Sequence, residues 1–254
     1  MVTENIPEEI KEPEEIGIEA VPDRNIDWTP VTDLGRRVKT GKIKDIDEIF
    51  NSGERILEAE ITDVLIAGLE EDLLLIGQAK GKFGGGQRRI FRQTQKKTKE
   101  GNKPKFVTCA VVGNKDGYLG VGLGKSKETV PARDKARRNA RLNMMRIRRG
   151  CGSWETDARQ ANSIPFAVEG RCGSVRITLM PAPGGKGLVI EKECAKILRL
   201  AGIKDIWSKT EGQTGTKINL IFALVDALKK VSEVKVKPED IAKLGIIEGR
   251  IKKE

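Results

Sequence analysis

The sequence contains no histidine, and this absence narrows the chemistry that the chain can perform. Histidine is the side chain most often used as a general base near neutral pH, and it completes Ser-His and Cys-His nucleophile pairs. The four cysteines, Cys109, Cys151, Cys172 and Cys194, include no CxxC pair, so a zinc site would need all four thiolates to converge from distant parts of the chain. We therefore expect no catalytic activity, no metal site and no cofactor.

Aromatic residues and long apolar runs are also scarce. At 4% of the chain, the aromatic residues do not supply the paired rings that a stacking platform for single-stranded RNA requires. The longest apolar runs, such as residues 73–76 and 220–225, are far shorter than the ~20 residues that cross a bilayer. The N-terminus carries acidic residues where a secretory signal would carry lysine and then an apolar stretch. The sequence thus predicts a cytoplasmic protein without a membrane span.

Positive charge, in contrast, is abundant and unevenly distributed. The 254 residues include 47 Lys and Arg against 37 Asp and Glu, a net charge of +10. Residues 1–34 hold ten acids and two bases, whereas residues 80–105 hold ten bases and one acid, and residues 125–150 hold ten bases and two acids. A single lysine-rich helix would be interpreted as solvated surface, but two blocks of this density repel each other unless a polyanion neutralises them. The charge pattern therefore favours nucleic acid as the partner.

The first half of the chain predicts a short helix followed by three strands. Asp45 and Glu48 fit a capping box at the start of the helix. The strands are predicted over residues 88–99, 106–112 and 118–123, of which the first is polar on both faces and the last alternates with glycine. The sequence Lys115-Asp-Gly117 supplies turn chemistry between the last two strands, because glycine tolerates positive φ.

A longer helix is predicted after the strands, with Pro131 in its first turn. Its core stripe is predicted to contain Ala132, Ala136, Ala140, Met144 and Ile147. Arg133, Arg137 and Arg141 form a second stripe on another face. These arginines either are solvated or contact phosphate groups.

A change in composition marks a second unit. After Gly150 the composition shifts to Gly, Ser, Asn and Pro through Pro165, and residues 151–164 are predicted to be a linker. Residues 165–232 then predict the order β-β-α-β-α, and residues 233–254 form a lysine-rich, peripheral extension. Within this unit, Gly184, Gly185 and Gly187 are expected to form a turn that depends on backbone torsions or close approaches.

Two motifs resemble phosphate-binding loops of enzymes but depart from them. The segment from Gly120 to Ser126 misses the Walker A spacing by one residue, although Gly-Lys-Ser before a helix can still hold an anion. Pro183 to Leu188 resembles the Pro-x-x-x-Gly-Leu segment of galactokinase and homoserine kinase, but Val189 and Ile190 stand where those kinases have serines. A phosphotransferase built on the second unit is the alternative from a different functional class.

Longer runs resemble one family along most of the chain. Val111 to Lys125, VVGNKDGYLGVGLGK, resembles the hairpin and helix start of the ribosomal small-subunit protein S5 family, and Glu169 to Val189 resembles the second domain of that family. Two further runs, RGCGSW at 149–154 and LAGIKDIW at 200–207, resemble its archaeal and eukaryotic branch, whose eukaryotic counterpart is called S2. The matching runs follow in order over residues 28–231.

The resemblance implies an α+β fold with two domains. A domain like those that bind double-stranded RNA, of order α-β-β-β-α, is expected over residues 41–150. A C-terminal α/β domain that shares its fold with the kinases named above is expected over residues 165–232. Residues 1–40 remain as an acidic, extended tail.

The resemblance also implies partners and binding residues. The expected partners are small-subunit rRNA, neighbouring small-subunit proteins and mRNA on the side of the subunit where it enters, together with a role in subunit assembly and decoding accuracy. A free regulator that binds double-stranded RNA is the remaining alternative. The stretch 79–89 is longer than usual for the family. The residues expected to bind rRNA are Lys82, Arg88, Arg89, Arg92, Lys96, Lys97, Asn102, Lys103, Lys105, Lys125, Arg133, Arg137, Arg141, Arg148 and Arg149.

Overall fold

The computed structural model describes residues 28–79, 81, 86–153, 155 and 160–250. Within these residues the helices are α1 (Asp33–Lys39), α2 (Ile46–Ser52), α3 (Glu60–Leu65), α4 (Thr129–Leu142), α5 (Lys192–Leu200), α6 (Lys217–Glu233) and α7 (Pro238–Leu244). The strands are β1 (Glu70–Leu74), β2 (Phe91–Thr98), β3 (Gly101–Gly113), β4 (Tyr118–Ser126), β5 (Met144–Arg146), β6 (Arg148–Arg149), β7 (Val168–Cys172), β8 (Val175–Pro181), β9 (Leu188–Val189), β10 (Ile206–Glu211) and β11 (Ile247–Glu248). This order confirms the predicted α+β class.

Strand β3 is the longest strand of the first sheet and pairs with three others. Its residues 109–113 pair with β1 and its residues 101–108 pair with β2, so these two strands follow one another along the same edge. Residues 106–113 pair with β4 on the opposite edge, and β5 pairs with β4. All these pairings are antiparallel. Lys115 and Gly117 adopt positive φ values of 59° and 88° in the turn between β3 and β4, where the sequence predicted a turn.

Glycines in β4 allow helix α4 to lie close against the sheet. The helix turns three fully buried small residues inward, Ala132, Ala136 and Ala140. A Cβ atom built on Gly122 would lie 2.2 Å from the backbone nitrogen of Ala140, and one built on Gly124 would lie 2.1 Å from the carbonyl oxygen of Ala132. No side chain fits at such distances, so glycine is required where the two backbones meet. This contact explains the alternation of glycine over residues 118–123.

Helices cover both faces of the first sheet. On one face, Ala110 and Val112 pack with α4 and with the N-terminal helices α1 to α3. On the other face, Val111 and Leu119 belong to the same core as Leu198 of α5. Because α5 is part of the second unit, the two units share a hydrophobic core. Burial raises the pKa of the Cys109 and Cys194 thiols, which both lie in that core, to about 12.

The second unit contains a four-stranded sheet of order β7-β8-β10-β9. The pairings are antiparallel except for the short strand β9, which runs parallel to β10. The sequence prediction of β-β-α-β-α is confirmed, with β9 as an addition. Helix α6 approaches β7 at Gly170, where a Cβ atom would lie 2.1 Å from the carbonyl oxygen of Ala223. In both units, therefore, a helix packs closely against a strand because a glycine of the strand faces an alanine of the helix.

A junction of backbone contacts fixes the two units against each other. The N–H of Lys115 donates to the carbonyl of Leu200 at 2.8 Å, and the N–H of Gly117 donates to the carbonyl of Ala201 at 3.1 Å. Next to this turn, β11 pairs with β6 in a two-stranded sheet. The segment after α6 thus returns to the first unit.

One predicted boundary is wrong. Residues 33–39 belong to α1 rather than to an extended tail over residues 1–40, because Leu34 and Val38 are buried and the Glu58 carboxylate accepts the backbone N–H groups of Val31 and Thr32. Residues 233–250 contain α7 and β11, which the sequence did not predict, although most of their described side chains are exposed or half-buried. Residues 1–27 and 251–254 lie outside the described residues.

Two local predictions also need correction. Helix α2 begins at Ile46 as expected, but the Asp45 side chain forms no capping hydrogen bond within the described structure. Helix α4 ends at Leu142, so Met144 and Ile147 are buried from β5 and the segment that follows it rather than from the helix stripe.

The close approach between α4 and β4 makes the glycines of β4 sensitive to substitution. We expect Gly122→Ala to destabilise the full-length protein by about 3 kcal/mol, because the new Cβ atom must push the helix away from the sheet. Gly185→Ala is the control, since it has open space and only its φ of 85° is unfavourable, at a cost of about 1 kcal/mol. Equilibrium unfolding in urea measures both. Equal midpoints for the two variants would contradict this account of the helix position.

Candidate nucleic-acid interface

Strands β2 and β3 extend beyond the first sheet as a two-stranded ribbon, which comprises residues 91–105. Strand β4 pairs with β3 only as far as Phe106, so among the described strands only β2 pairs with residues 101–105. Residues 92–97 are exposed on both faces, as the sequence predicted for a polar strand. A lone two-stranded hairpin is only marginally stable in water. The ribbon therefore presents side chains that contribute little to the core.

The strand register gathers cations on one face of this ribbon. Lys96 pairs with Lys103, Thr94 with Lys105, and Arg92 with Val107, which in turn pairs with Lys125. Cross-strand partners share a face. The cations on this common face are therefore Arg92, Lys96, Lys103, Lys105 and Lys125. Lys97 and Asn102 are paired with each other on the opposite face.

Like charges stand directly opposite each other on the ribbon, which is unfavourable without a counter-charge. Lys103 has one partner, Glu100, at 2.5 Å across the turn. Within the described part of the chain, no carboxylate pairs with Arg92, Lys96 or Lys97. A bound polyanion would relieve this repulsion.

The base of the ribbon is held in place by backbone contacts and by packing. Arg88 donates from Nη1 to the carbonyl of Gly77 at 3.2 Å, and the N–H of Gly77 donates to the carbonyl of Arg89 at 2.8 Å. The rings of Phe91 and Phe106 meet edge to face, with centroids 5.5 Å apart. Arg88 is half-buried and Arg89 is exposed. Lys82 lies outside the described residues.

Carboxylates form ion pairs with two of the three arginines in the stripe of α4. Arg137 pairs with Glu71 of β1 at 3.1 Å, and Arg141 pairs both with Glu71 and, at 3.0 Å, with Asp63 of α3. Side chains of α3, β1 and α4 thus form a single network of ion pairs. Arg133 has no ion pair with any described residue. The sequence placed the three arginines correctly on one face, but it gave no signal that carboxylates about 70 residues away would neutralise two of them.

Arg148 and Arg149 are not available to RNA, and their assignment to the rRNA surface is wrong. Arg148 donates to the Glu248 carboxylate at 2.7 Å and to the carbonyl oxygens of Val231 and Val234 at the end of α6. Arg149 is only 3% exposed and pairs with Asp116 at 2.7 Å. A cation this deeply buried requires a partner, and the protein itself supplies it. Both residues stabilise the junction.

Lys125 and Lys105 also line a cleft between the ribbon and the start of α4. The lining residues are Lys105, Lys125, Ser126, Lys127, Glu128, Pro131 and Lys135, and we name this the lysine cleft. Its volume is about 490 Å³. Lys127 and Lys135 were not among the residues predicted from the sequence. The density of the second basic block was the signal that could have identified them.

The glycine-rich turn of the second unit is distant in sequence from these cations. Its shape depends on the backbone torsion angles of its glycines. Gly185 and Gly187 have φ values of 85° and 75°, and a Cβ atom on either would meet open space. The N–H of Gly187 donates to the Asp205 carboxylate at 2.8 Å. Gly184 is not among the described glycines with positive φ. Of the two reasons expected for these glycines, positions 185 and 187 therefore show the backbone torsion and not the close approach.

The described residues contain no cluster of Cys, Asp and Glu side chains arranged to hold a metal ion, and Cys109 and Cys194 are buried thiols. The described helices include none that is long and apolar enough to cross a bilayer.

Comparisons with known proteins agree with this arrangement. Residues 90–148 match the family profile described as "Ribosomal protein S5, N-terminal domain", and residues 170–244 match "Ribosomal protein S5, C-terminal domain". "Small ribosomal subunit protein uS5" of Nanoarchaeum equitans is 49% identical over 225 residues, which cover 89% of this chain and 96% of that protein. Its counterparts in Methanothermobacter thermautotrophicus and Pyrobaculum aerophilum are each 44% identical, over 87% and 82% of this chain and 95% and 89% of their own lengths.

The first profile covers the ribbon, the lysine cleft and α4, and the second covers the sheet and helices of the second unit. Each of these relatives is at least 44% identical over more than four fifths of both chains. The chain belongs to the ribosomal protein S5 family.

Proposed function

We propose that this protein is a structural constituent of the small ribosomal subunit in the cytoplasm, where it binds small-subunit rRNA through the ribbon and contacts neighbouring ribosomal proteins. The observation that supports this proposal is the ribbon itself, which places Lys96 opposite Lys103 and exposes Arg92, Lys96 and Lys97 without carboxylate partners among the described residues. The names of the relatives support the assignment to the small subunit. On the basis of the family resemblance, we also propose that the protein lies on the side of the subunit where mRNA enters and that it influences decoding accuracy.

The chemistry of the ribbon fits the backbone of RNA better than its bases. Lysine and arginine contact phosphate oxygens without regard to sequence, whereas base reading by stacking needs exposed aromatic rings. The two rings at the ribbon, Phe91 and Phe106, pack on each other and are half-buried. We therefore assign the ribbon to phosphate recognition and RNA shape.

A phosphotransferase built on the second unit is not supported. Val189 lies in strand β9, and Ile190 packs at the edge of the core, so the positions of the two kinase serines carry apolar side chains. The turn before them is shaped by torsion and by a hydrogen bond to Asp205. We propose that the protein has no enzymatic activity of its own.

Cosedimentation tests the proposed function directly. Full-length protein, expressed in archaeal cells with an affinity tag, should migrate with small subunits in a sucrose gradient and should remain there after a wash at moderate salt. Migration at the top of the gradient with RNA bound would instead identify a free RNA-binding regulator. Migration there without RNA would contradict the proposal.

Two double variants with the same change in charge distinguish the ribbon from the arginines of α4. Lys96→Gln with Lys103→Gln should weaken binding to a small-subunit rRNA fragment about tenfold and leave the midpoint of unfolding unchanged. If the wild type neutralises about six phosphates, its log–log salt slope is roughly −4 to −5, and the variant should be less steep by about 1.5. Fluorescence titration at several salt concentrations measures both quantities.

Arg137→Gln with Arg141→Gln should give the opposite result. The two side chains are paired with Glu71 and Asp63, so their loss should lower the midpoint of unfolding while the salt slope changes little. If the arginine pair rather than the lysine pair reduces RNA binding, the ribbon is not the main contact surface.

A further inference from the structure

The lysine cleft concentrates positive charge next to the cationic face of the ribbon, with which it shares Lys105 and Lys125, at the point where three elements meet. Lys105 comes from β3, Lys125 from β4, Lys127 from the connection that follows, and Lys135 from the second turn of α4. One carboxylate, Glu128, faces these four lysines. None of the four lysines has an ion pair with a described residue, in contrast to Arg137 and Arg141 on the same helix.

We propose that the lysine cleft is a second RNA site, which binds the sugar–phosphate backbone of one strand and reads no bases. This inference rests on the proposed rRNA binding and adds Lys127 and Lys135 to the residues that perform it. The two lysines belong to the lining of the cleft and not to the ribbon.

The composition of the lining identifies the ligand chemistry. Lysine ammonium groups bind the oxygens of a phosphodiester as mobile point charges, without the fixed planar geometry that arginine brings to a phosphate, a carboxylate or a base edge. The lining contains no arginine and no aromatic ring, so it offers neither a rigid planar donor group nor a stacking surface for bases. Ser126 adds one hydroxyl that can donate to a phosphate oxygen.

The place of the cleft in the fold lets it act together with the ribbon. Lys105 lies on the cationic face of the ribbon and also lines the cleft, and Lys125 is connected to that face through the strand register. The close seating of α4 on β4 then fixes Lys135 relative to both strands. One RNA strand that leaves the ribbon can therefore continue into the cleft along Lys105 and Lys125, which belong to both surfaces.

Loss of charge in the cleft is the first arm of the test. Lys127→Gln with Lys135→Gln in the full-length protein should weaken binding to an rRNA fragment about tenfold, with a log–log salt slope less steep by about 1.5. The loss should be the same factor for two fragments of equal length and unrelated sequence. Lys192→Gln with Lys204→Gln, two exposed lysines of the second unit, is the control with the same charge change and should differ little from the wild type.

Removal of the single carboxylate is the second arm, and it predicts a gain that misfolding could not produce. Glu128→Gln should bind RNA about threefold more tightly, because Glu128 forms no side-chain cap of α4 and its charge opposes the phosphate. Glu211→Gln is the control. Inorganic triphosphate should compete with RNA less effectively against the Lys127/Lys135 variant than against the wild type.

The outcomes separate the inference from the proposed function. If the wild type binds rRNA but the cleft variants behave like their controls, the cleft is not a site and the ribbon assignment stands. If the loss depends on RNA sequence, the cleft reads bases and the inference is wrong. If the wild type itself does not bind rRNA, the proposed function fails.

Discussion

The close contact between α4 and the glycine strand β4 is the constraint on which the rest of the first unit depends. Backbone atoms of the helix approach β4 so closely that a Cβ atom on Gly122 or Gly124 would overlap them. This distance brings the start of α4 beside the ends of β3 and β4, where the lysine cleft lies. On the opposite face of the sheet, α5 packs against β3 and β4 in the core that the two units share. The position of the cleft lysines thus follows from the same run of small residues that seats α4.

The basic side chains at the two ends of α4 have different roles. Towards the end of α4, Arg137 and Arg141 are held by Glu71 and Asp63, so the arginines connect α4 with β1 and α3. Towards its start, Arg133 and Lys135 have no such partner among the described residues. The helix therefore stabilises the fold at one end and presents charge at the other. A net charge of +10 by itself gives no indication of this division.

Much of the fold could be predicted from the sequence because its signals are local. The hairpin turn at residues 115–117, the polar strand β2 and the alanine stripe of α4 each depend on neighbours within a few residues. The errors share a different cause. Arg148 and Arg149 looked like further members of a basic block, but each has a partner 100 residues away, in or beside a strand of only two residues, and Arg149 also pairs with Asp116. Strand β11 is too short to show a periodic pattern in the sequence. The contact between Glu71 and Arg141 joins segments that are distant along the chain, so no local pattern predicts it.

The pairing of β11 with β6 has a consequence for the order in which the chain becomes complete. Arg148 and Arg149 leave the peptidyl-transferase centre 100 residues before Glu248 and Gly249, which is a delay of about 5 to 20 s at usual rates of translation. During that interval the nascent first unit carries two inward-pointing cations that lack these partners, and the turn at residues 115–117 lacks its neighbour. Contacts of such long sequence separation form late because a long loop must close first. Translation of residues 247–249 therefore sets the earliest time at which the pairing of β11 with β6 can complete the junction between the two units.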